Sequence, residues 1–565
     1  MRHTPQSLLD IGRRSADDRR GLRSADDAGR QSQDTIGRRS RDTMGRRSHD
    51  KDQGLRWVRR VGYGLLGIQL VVMLVAGARL YARWDVTNDF ALYSQAWYLI
   101  AHGHLNPYST VDQLPFWKNH FELIMWPMSL VYWIHSSPVD LKWLQELAAV
   151  ASEAVAFRWV LDALGRHRRS IPAAPVALGF VVVLVVNPYF YQADWFDFHF
   201  QAFATLFLVL AARDLYNGRN RRALIWAAIM LLTGDVAATY AIGLGVAALV
   251  CSRETRRAGV VLVVGGVLWI VLISSLHANV GSDLQAGLGY LAAGSTVTIF
   301  SIVAGLFIHP GRWFLILHQR WHLIFNTLTT GGVVGIAAPW ALFISIVVLV
   351  PNALQANVGY IRSPFQNFPV YIIVPVGTVL VLEWTARRGL LPFATGTGGE
   401  AGPASDLAAA ERPRHRGIVV ATCIVGVGLF GLSLYSSIPN LSTAKSDWFV
   451  NTSATAAALD AARAQIPPDA QVIVGSAVSG GLGERKAIYA WFAAPQVFPI
   501  TQKPVYFVFA PKDPLQPVRG PISTTAIAYT SQLPGARVVF HRSGVTMVTW
   551  HPPPGVRSVT LPQPG

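Results

Sequence analysis

Cysteine is scarce in this sequence, with only Cys251 and Cys423 among 565 residues. Both lie in or at the end of apolar runs, and neither belongs to a Cys-x-x-Cys pair. A disulfide framework or a thiolate metal site needs more cysteines at closer spacing. The sequence therefore predicts two inert thiols.

Charge is also scarce, at 14% of residues, whereas 51% are hydrophobic and the mean hydropathy is +0.33. This composition is too apolar for a soluble chain that buries a single core. Runs close to the roughly 20 apolar residues that cross a bilayer recur along the chain, among them 61–80, 172–190, 257–275, 332–350 and 417–436. The sequence predicts an all-α polytopic membrane protein.

A nucleotide-binding signature is lacking, since no GxxxxGK[ST] occurs, which argues against a nucleotide-fuelled cytoplasmic enzyme. The formal charge of +17 would favour nucleic acid if it were spread over a folded surface. Much of it lies in the first 60 residues and in short loops instead. We interpret it as charge that orients membrane helices, with no nucleic-acid partner.

The first 56 residues repeat a basic unit, as IGRRSADD at 11–18, IGRRSRD at 36–42 and MGRRSHD at 44–50. They contain almost no aromatic or β-branched residues and cannot bury enough apolar surface to offset the ordering entropy. We expect a disordered cytoplasmic tail at 1–56. Binding of the tail to anionic membrane lipid is the alternative.

Basic clusters predict the topology, because Lys and Arg concentrate on the cytoplasmic side of a membrane protein. The clusters lie at 56–60, 166–169, 219–222, 253–257, 387–388 and 412–416. Placing all of them inside predicts about eleven transmembrane helices. The outward passes are 61–80, 172–190, 222–234, 257–275, 332–350 and 417–436, and the inward passes are 140–164, 200–216, 236–250, 290–308 and 368–385. This places the N-terminus in the cytoplasm and the C-terminal domain extracytoplasmically, in a multi-pass protein of the plasma membrane.

The same parity predicts two local features. The apolar stretch 121–135 contains Pro127 and cannot be a full pass, so we expect a helix at the outer interface. The run 223–250 must cross twice, so two short helices should meet near Thr233, Gly234 and Asp235.

Composition divides the chain into regions. The transmembrane domain covers 57–436, with an outer loop at 81–139 that carries interfacial helices and a Gly/Ala/Pro-rich cytoplasmic linker at 389–416. A small α/β domain follows at 437–555, and a frayed end is expected at 556–565. The helix and strand patterns of the α/β domain are 452–475, 505–510, 536–541 and 545–550.

Ionisable residues among aromatics mark a candidate site in the outer loop. They are Asp85, Asp89, His102, His104, Asp112 and His120. From Asp89 to Ile100 the pattern fits an amphipathic interfacial helix with Phe90, Tyr93 and Trp97 on one side. The alternative for Asp85 and Asp89 is that they are solvated loop carboxylates.

A second cluster, NPYFYQADWFDFHFQ at 187–201, is expected on the same side of the membrane. It contributes Asp194, Asp197, His199 and Gln201, and Asp235 is a third candidate. His199 could instead cap a helix or satisfy a buried carbonyl. The Asp-x-His spacing is weak support for a metal site, so no cofactor is assigned and a divalent metal stays open.

These patterns resemble a bacterial family of polytopic membrane proteins, a DUF2079-like domain of unknown function grouped with the GT-C glycosyltransferases. The resemblance spans about residues 80–510. It is carried by DFALYSQAW at 89–97, HFELIMWP at 120–127, FDFH at 196–199 and IPPDAQVIVGSAVSGGLGERKAIYAW at 466–491. FDFH is the most specific of these motifs.

The resemblance implies a GT-C-like fold and inverting transfer from a polyprenyl-phosphate-linked sugar to a glycan, lipid or protein acceptor outside the cytoplasm. Asp89 would be the general base. His120, Asp197, His199 and Gln201 would bind substrate. Asp235 and Arg362 join this set by placement, with Arg362 facing the leaving phosphate.

Two other readings stay open. A transporter or lipid-linked-sugar flippase would carry its charges near the bilayer midplane on broken helices, as the split 223–250 segment allows. A non-catalytic membrane subunit would fit the departures from the family pattern. These departures are TGD at 233–235, in place of a Lys-Glu or Glu-Asp pair, and Asn367 and Phe368, in place of a His-Tyr pair.

Overall fold

The computed structural model describes residues 55–119, 121–166, 173–276, 287–294, 296–329, 331–356, 364–388, 431, 435, 450–492, 496–511 and 522–561. Most of the tail, the 389–416 linker and nearly all of the 417–436 pass lie outside these residues, as do His120 and Arg362. The chain divides into two compact units, 1–60 and 61–565. All contacts discussed below lie within the second unit.

The described part of the membrane domain is mostly helical. Its helices are α1 Leu55–Ala82, α2 Asn88–Ala101, α3 Phe116–Asn119, α4 Met125–Tyr132, α5 Val139–Arg166, α6 Ala173–Val185, α7 Pro188–Trp195, α8 Gln201–Tyr216, α9 Asn220–Leu231, α10 Val236–Cys251, α11 Arg256–Leu276, α12 Ile299–Ile308, α13 Pro310–Thr329, α14 Pro339–Leu354 and α15 Phe368–Arg387. A short hairpin, β1 Tyr108–Ser109 with β2 Leu114–Pro115, follows α2. Helix α5 packs against α6, α8 and α15, and α10 packs against α11 and α14.

Several helices are apolar enough to span a membrane. Among the described residues, four are both long and apolar enough, namely Leu55–Ala82, Ala173–Trp195, Arg256–Leu276 and Phe368–Thr385. Val236–Cys251 and Pro339–Leu354 are shorter apolar helices. The number of about eleven passes stays a prediction.

The predicted break inside 223–250 is confirmed. Helix α9 ends at Leu231, and α10 begins at Val236. Gly234 between them has a φ of +128°, which a side chain would strain. Asp235 then caps α10, with its Oδ1 accepting from the Val236 backbone N–H at 2.7 Å.

The segment 290–308 differs from the continuous pass that hydropathy predicts. Its helix begins only at Ile299, because Thr298 and Ser301 form a capping box there. A second helix, α13, follows from Pro310 and was missed. Arg312 and Arg320 interrupt its apolar residues and lower the mean hydropathy of the helix.

The C-terminal domain is α/β, as predicted. Helix α16 Ser453–Arg463 precedes a five-stranded sheet with the strand order β4-β3-β6-β8-β7. The strands are β3 Gln471–Gly475, β4 Ile488–Trp491, β6 Val505–Phe509, β7 Ala536–Arg542 and β8 Val545–Trp550. β3 is parallel to β4 and β6, whereas β8 is antiparallel to β6 and β7. Helix α17 Ile522–Ser531 packs on β7 and β8.

The structure also orders part of the end that composition predicted to be frayed. Strand β9 Ser558–Leu561 pairs antiparallel with β5 Gln496–Pro499. The pairing places Val559 opposite Phe498, and both side chains are buried in the core of the domain. Burial of Val559 and Leu561 offsets the cost of ordering this segment.

Helix α2 is buried from Phe90 to Trp97, polar residues included, whereas Asp89 at its start stays partly exposed. The amphipathic pattern is therefore not reflected in its burial, and the interfacial position stays a prediction. The 3₁₀ helix Ser476–Leu482 of the C-terminal domain packs against α2. Gly480, Gly481 and Gly483 lie so close to Val86, Trp84 and Ser94 that a side chain at any of these glycines would clash. The side of α2 that carries Ser94 is therefore covered by protein.

Gln95 joins α2 to the C-terminal domain. Its Nε2 donates to the Arg485 and Lys486 carbonyls at 3.1 and 3.3 Å and to Thr110 Oγ1 at 2.8 Å. Its Oε1 accepts from the Thr110 backbone N–H at 2.9 Å. Thr110 in turn accepts from the Ile488 N–H at 2.9 Å, so one buried amide links three segments.

The Gln95→Ala variant should lose much of this connection. Removing a fully buried amide leaves several polar partners unpaired, so we expect the free energy of unfolding to fall by about 2–4 kcal/mol. Thermal denaturation of the purified protein measures the change. The matched control is Gln113→Ala, which removes a single exposed bond to the Val497 carbonyl and should have little effect. Equal melting temperatures for the two variants would contradict this prediction.

Candidate functional site

Asp89 and His199 lie side by side, as the topology predicted. Asp89 is the second residue of α2, and His199 lies in the loop between α7 and α8. His199 Nε2 is 3.8 Å from Asp89 Oδ2. The Asp89 side chain is 36% exposed and that of His199 only 8%. Asp89 is therefore the more accessible group of this pair.

The FDFH loop, residues 196–199, holds the His199 ring in place. Phe196 stacks on the imidazole with a centroid distance of 5.6 Å and an interplanar angle of 1°. The His199 backbone N–H donates to Gln145 Oε1 at 2.6 Å. Phe198 fixes the opposite side of the loop through an edge contact with Tyr93, at 5.3 Å. The ring has little room to turn away from Asp89.

Asp197 acts on the start of α2 rather than lying open to a substrate. Its Oδ1 accepts from the Thr87 backbone N–H at 2.8 Å, and its Oδ2 accepts from the Thr87 hydroxyl. The residue is buried, has a φ of +49° and lies two positions before His199. Burial raises the pKa of its carboxyl, and the two bonds from Thr87 act in the opposite direction. The geometry makes Asp197 a support for Asp89.

Asp85 is also engaged by protein. Its Oδ1 accepts from the Asn451 backbone N–H at 3.0 Å and from Asn451 Nδ2 at 3.1 Å. The neighbouring Trp84 donates to Asp460 at 3.1 Å. Burial raises the pKa of Asp85 to about 6. Asp85 therefore attaches the C-terminal domain to the α1–α2 connection.

Tyr93 and Glu122 complete this side of the site, and the sequence did not single them out. The Tyr93 hydroxyl donates to Glu122 Oε1 at 3.2 Å. Burial raises the pKa of Tyr93, and the charges of Glu122, Asp89 and Asp235 raise it further. Of these three carboxylates, Glu122 is the one that the Tyr93 hydroxyl contacts. Both residues lie inside motifs that the family resemblance quotes, which was the available signal.

The remaining predicted residues lie at helix ends and differ in their exposure. Asp235 is exposed at the start of α10, and Gln201 is the half-buried first residue of α8. His102 and His104 are exposed beyond the end of α2, and Asp194 is buried at the end of α7. Among the residues that the structure describes, no group of three or more His, Cys, Asp or Glu side chains could hold a metal ion.

Comparisons with known proteins give a family and two solved structures. The family described as predicted membrane protein (DUF2079) matches residues 84–518. The crystal structure of ArnT from Cupriavidus metallidurans bound to undecaprenyl phosphate is similar at 13% identity and a TM-score of 0.46, over 86% of this chain and 99% of that chain. The apo structure of the same ArnT gives the same identity and TM-score, with 87% and 100% covered. No curated protein matches.

The raised pKa of Asp85 predicts how stability depends on pH. With a pKa of about 6 when folded and 3.8 as the ordinary value, Asp85 binds its proton more tightly in the folded state. Its stabilising contribution is therefore complete below about pH 4 and is lost as the pH rises through 6. We expect a loss of about 1–2 kcal/mol, reduced from the full linkage value by partial exposure.

The measurement is chemical or thermal denaturation from pH 4 to 7. Asp85→Asn keeps an acceptor for Asn451 and should flatten the profile across this window. Asp469→Asn removes an exposed carboxylate of the C-terminal domain, to which Asp85 is bonded, and should leave the profile unchanged. A wild-type slope that survives in Asp85→Asn would assign the pH dependence to another group.

Proposed function

Because the chain belongs to the DUF2079 family of predicted membrane proteins, we propose that Asp89 serves a membrane glycosyltransferase reaction. The sugar comes from a polyprenyl-phosphate-linked donor and passes with inversion to an extracytoplasmic acceptor. The observation that carries the proposal is the partly exposed Asp89 carboxylate facing the buried His199 imidazole at 3.8 Å. The GT-C resemblance of the sequence motifs supports it.

In this reaction Asp89 is the general base. Its Oδ2 removes the proton from an acceptor hydroxyl while that oxygen attacks the anomeric carbon from the side opposite the phosphate. The bond between the anomeric carbon and the phosphate oxygen breaks, and polyprenyl phosphate leaves with the electron pair. His199 Nε2 stands beside the same carboxylate oxygen and stabilises the charge that Asp89 carries before it takes the proton.

The surrounding residues divide into supports and ligands. Asp197 accepts from Thr87 at the start of α2 and so fixes the position of Asp89, two residues further on. Asp235 and Gln201 stand at helix starts, where they contact the polar part of the donor or the acceptor. His120 and Arg362 lie outside the described residues. We propose for them the phosphate-binding roles that the sequence analysis suggested.

The flippase alternative also has one supporting observation. Lys142, Glu146 and Glu153 of α5 are fully buried, and ionisable residues within a membrane helix often mark a transport path. A flippase would move the lipid-linked sugar across the bilayer without breaking the glycosidic bond. Following the sugar after incubation distinguishes the two functions, because only the transferase separates it from its polyprenyl phosphate.

The direct test is transfer of radiolabelled sugar from a panel of polyprenyl-phosphate donors in membranes that contain the protein. Asp89→Asn keeps the volume of the side chain but cannot accept the proton. We expect transfer to fall by about 10²–10⁴-fold, the contribution usual for a general base. Asp469→Asn, at equal protein level, should retain wild-type transfer.

The outcomes separate the hypotheses. Transfer by the wild type that Asp89→Asn abolishes supports the proposed reaction. Equal transfer by both removes Asp89 from the mechanism. Absence of transfer from every donor, together with movement of intact lipid-linked sugar across the bilayer, would establish the flippase instead.

A further inference from the structure

A buried ammonium group lies directly beneath the FDFH loop. Lys142, in the first turns of α5, has no exposed surface. Its Nζ donates to the Asp194 carbonyl and to the Asp197 carbonyl, each at 2.6 Å. Glu146 Oε1 stands 3.8 Å from the same nitrogen. Lys142 thus bridges both ends of the segment that leads into His199.

Gln145, three residues after Lys142 on the same face of α5, bonds to the same segment. Residues three apart lie together on a helix surface. The Gln145 Nε2 donates to the Asp194 carbonyl at 2.7 Å, and its Oε1 accepts from the His199 N–H at 2.6 Å. Two side chains of one helix therefore hold the backbone at 194, 197 and 199.

These contacts supply hydrogen-bond donors to the carbonyls at the end of α7. Helix α7 ends at Trp195, so its last carbonyls have no partner within the helix, and its negative dipole end attracts a cation. Gly77 of α1 lies so close to this part of α5 that an added Cβ would stand 2.9 Å from Glu146 Oε1 and 3.5 Å from Lys142 Cβ. Helices α1 and α5 therefore pack closely beside the buried lysine.

Burying an ammonium is costly unless it is paired and hydrogen-bonded. Replacing a buried ion pair by apolar residues of similar volume is often neutral or stabilising, so stability alone does not require Lys142. The charge is placed where it fixes one loop, and that loop carries the imidazole that faces Asp89. We propose that Lys142 and Gln145 are positioning residues that hold His199 against Asp89. Their effect on sugar transfer rests on the proposed function, whereas their hold on the loop does not.

The test reads the environment of His199 directly, through its rate of modification by diethyl pyrocarbonate followed by peptide mass spectrometry. The variants are Lys142→Met and Gln145→Met, which remove the hydrogen bonds of each side chain; Met matches Gln145 in length and is one atom shorter than Lys142. In both, we expect His199 to react about tenfold faster, a change that corresponds to about 1.4 kcal/mol. The exposed His102 of the same protein is the internal reference and should keep its rate.

The matched control is Trp143→Phe. Trp143 lies between the two residues on α5 but bonds to the Leu74 carbonyl of α1, away from the FDFH loop. Its substitution should leave the His199 rate at the wild-type value. Thermal denaturation of each variant shows whether it is folded, and if Lys142→Met does not fold, Gln145→Met decides.

Unchanged His199 reactivity in the folded variants would overturn the proposal. So would an equal rise in Trp143→Phe, or a parallel rise at His102, since either would mean general loosening. Where the wild type transfers sugar, the two variants should lower kcat and leave KM for the donor unchanged. Lack of transfer by the wild type would count against the proposed function alone, because the His199 measurement does not depend on it.

Discussion

The bonds between Asp197 and Thr87 are the constraint from which the rest of the site follows. They tie the loop before α8 to the first residues of α2, and Asp89 is only two positions beyond Thr87. A carboxylate that accepts two bonds at a helix start fixes both the helix and its own loop. The closeness of Asp89 and His199 is a consequence of this joint.

Much of the local structure could be predicted from the sequence, because local patterns specify it. Gly234 and Asp235 predicted the break between α9 and α10, and the pattern VTMVTW predicted strand β8. The sequence did not predict helix α13, because its arginines interrupt the run of apolar residues. One of them, Arg320, donates to the Ala353 carbonyl at 2.9 Å, a contact that only the structure shows. The count of passes depends on charge placement across the whole chain and cannot be read from one helix.

The candidate site was predicted in part, and the division has a physical cause. Topology predicted that Asp89 and His199 lie on the same side of the membrane, and the structure places them 3.8 Å apart. Which carboxylate stays accessible depends on contacts between distant segments, such as Asn451 on Asp85, and no local pattern encodes these. Gln95 shows the same limit, since its role becomes visible only when Arg485 is placed beside it.

The distance along the chain between Gln95 and Arg485, 390 positions, also bears on how the protein is made. Helix α2 leaves the ribosome long before the domain that covers it exists. Until the last quarter of the chain is synthesised, the Gln95 amide and the face of α2 beneath the glycines must be accommodated by water, lipid or a chaperone. A product released early would carry Asp89 on a helix that the C-terminal domain does not yet cover, although both partners of the Thr87–Asp197 joint would already have been made.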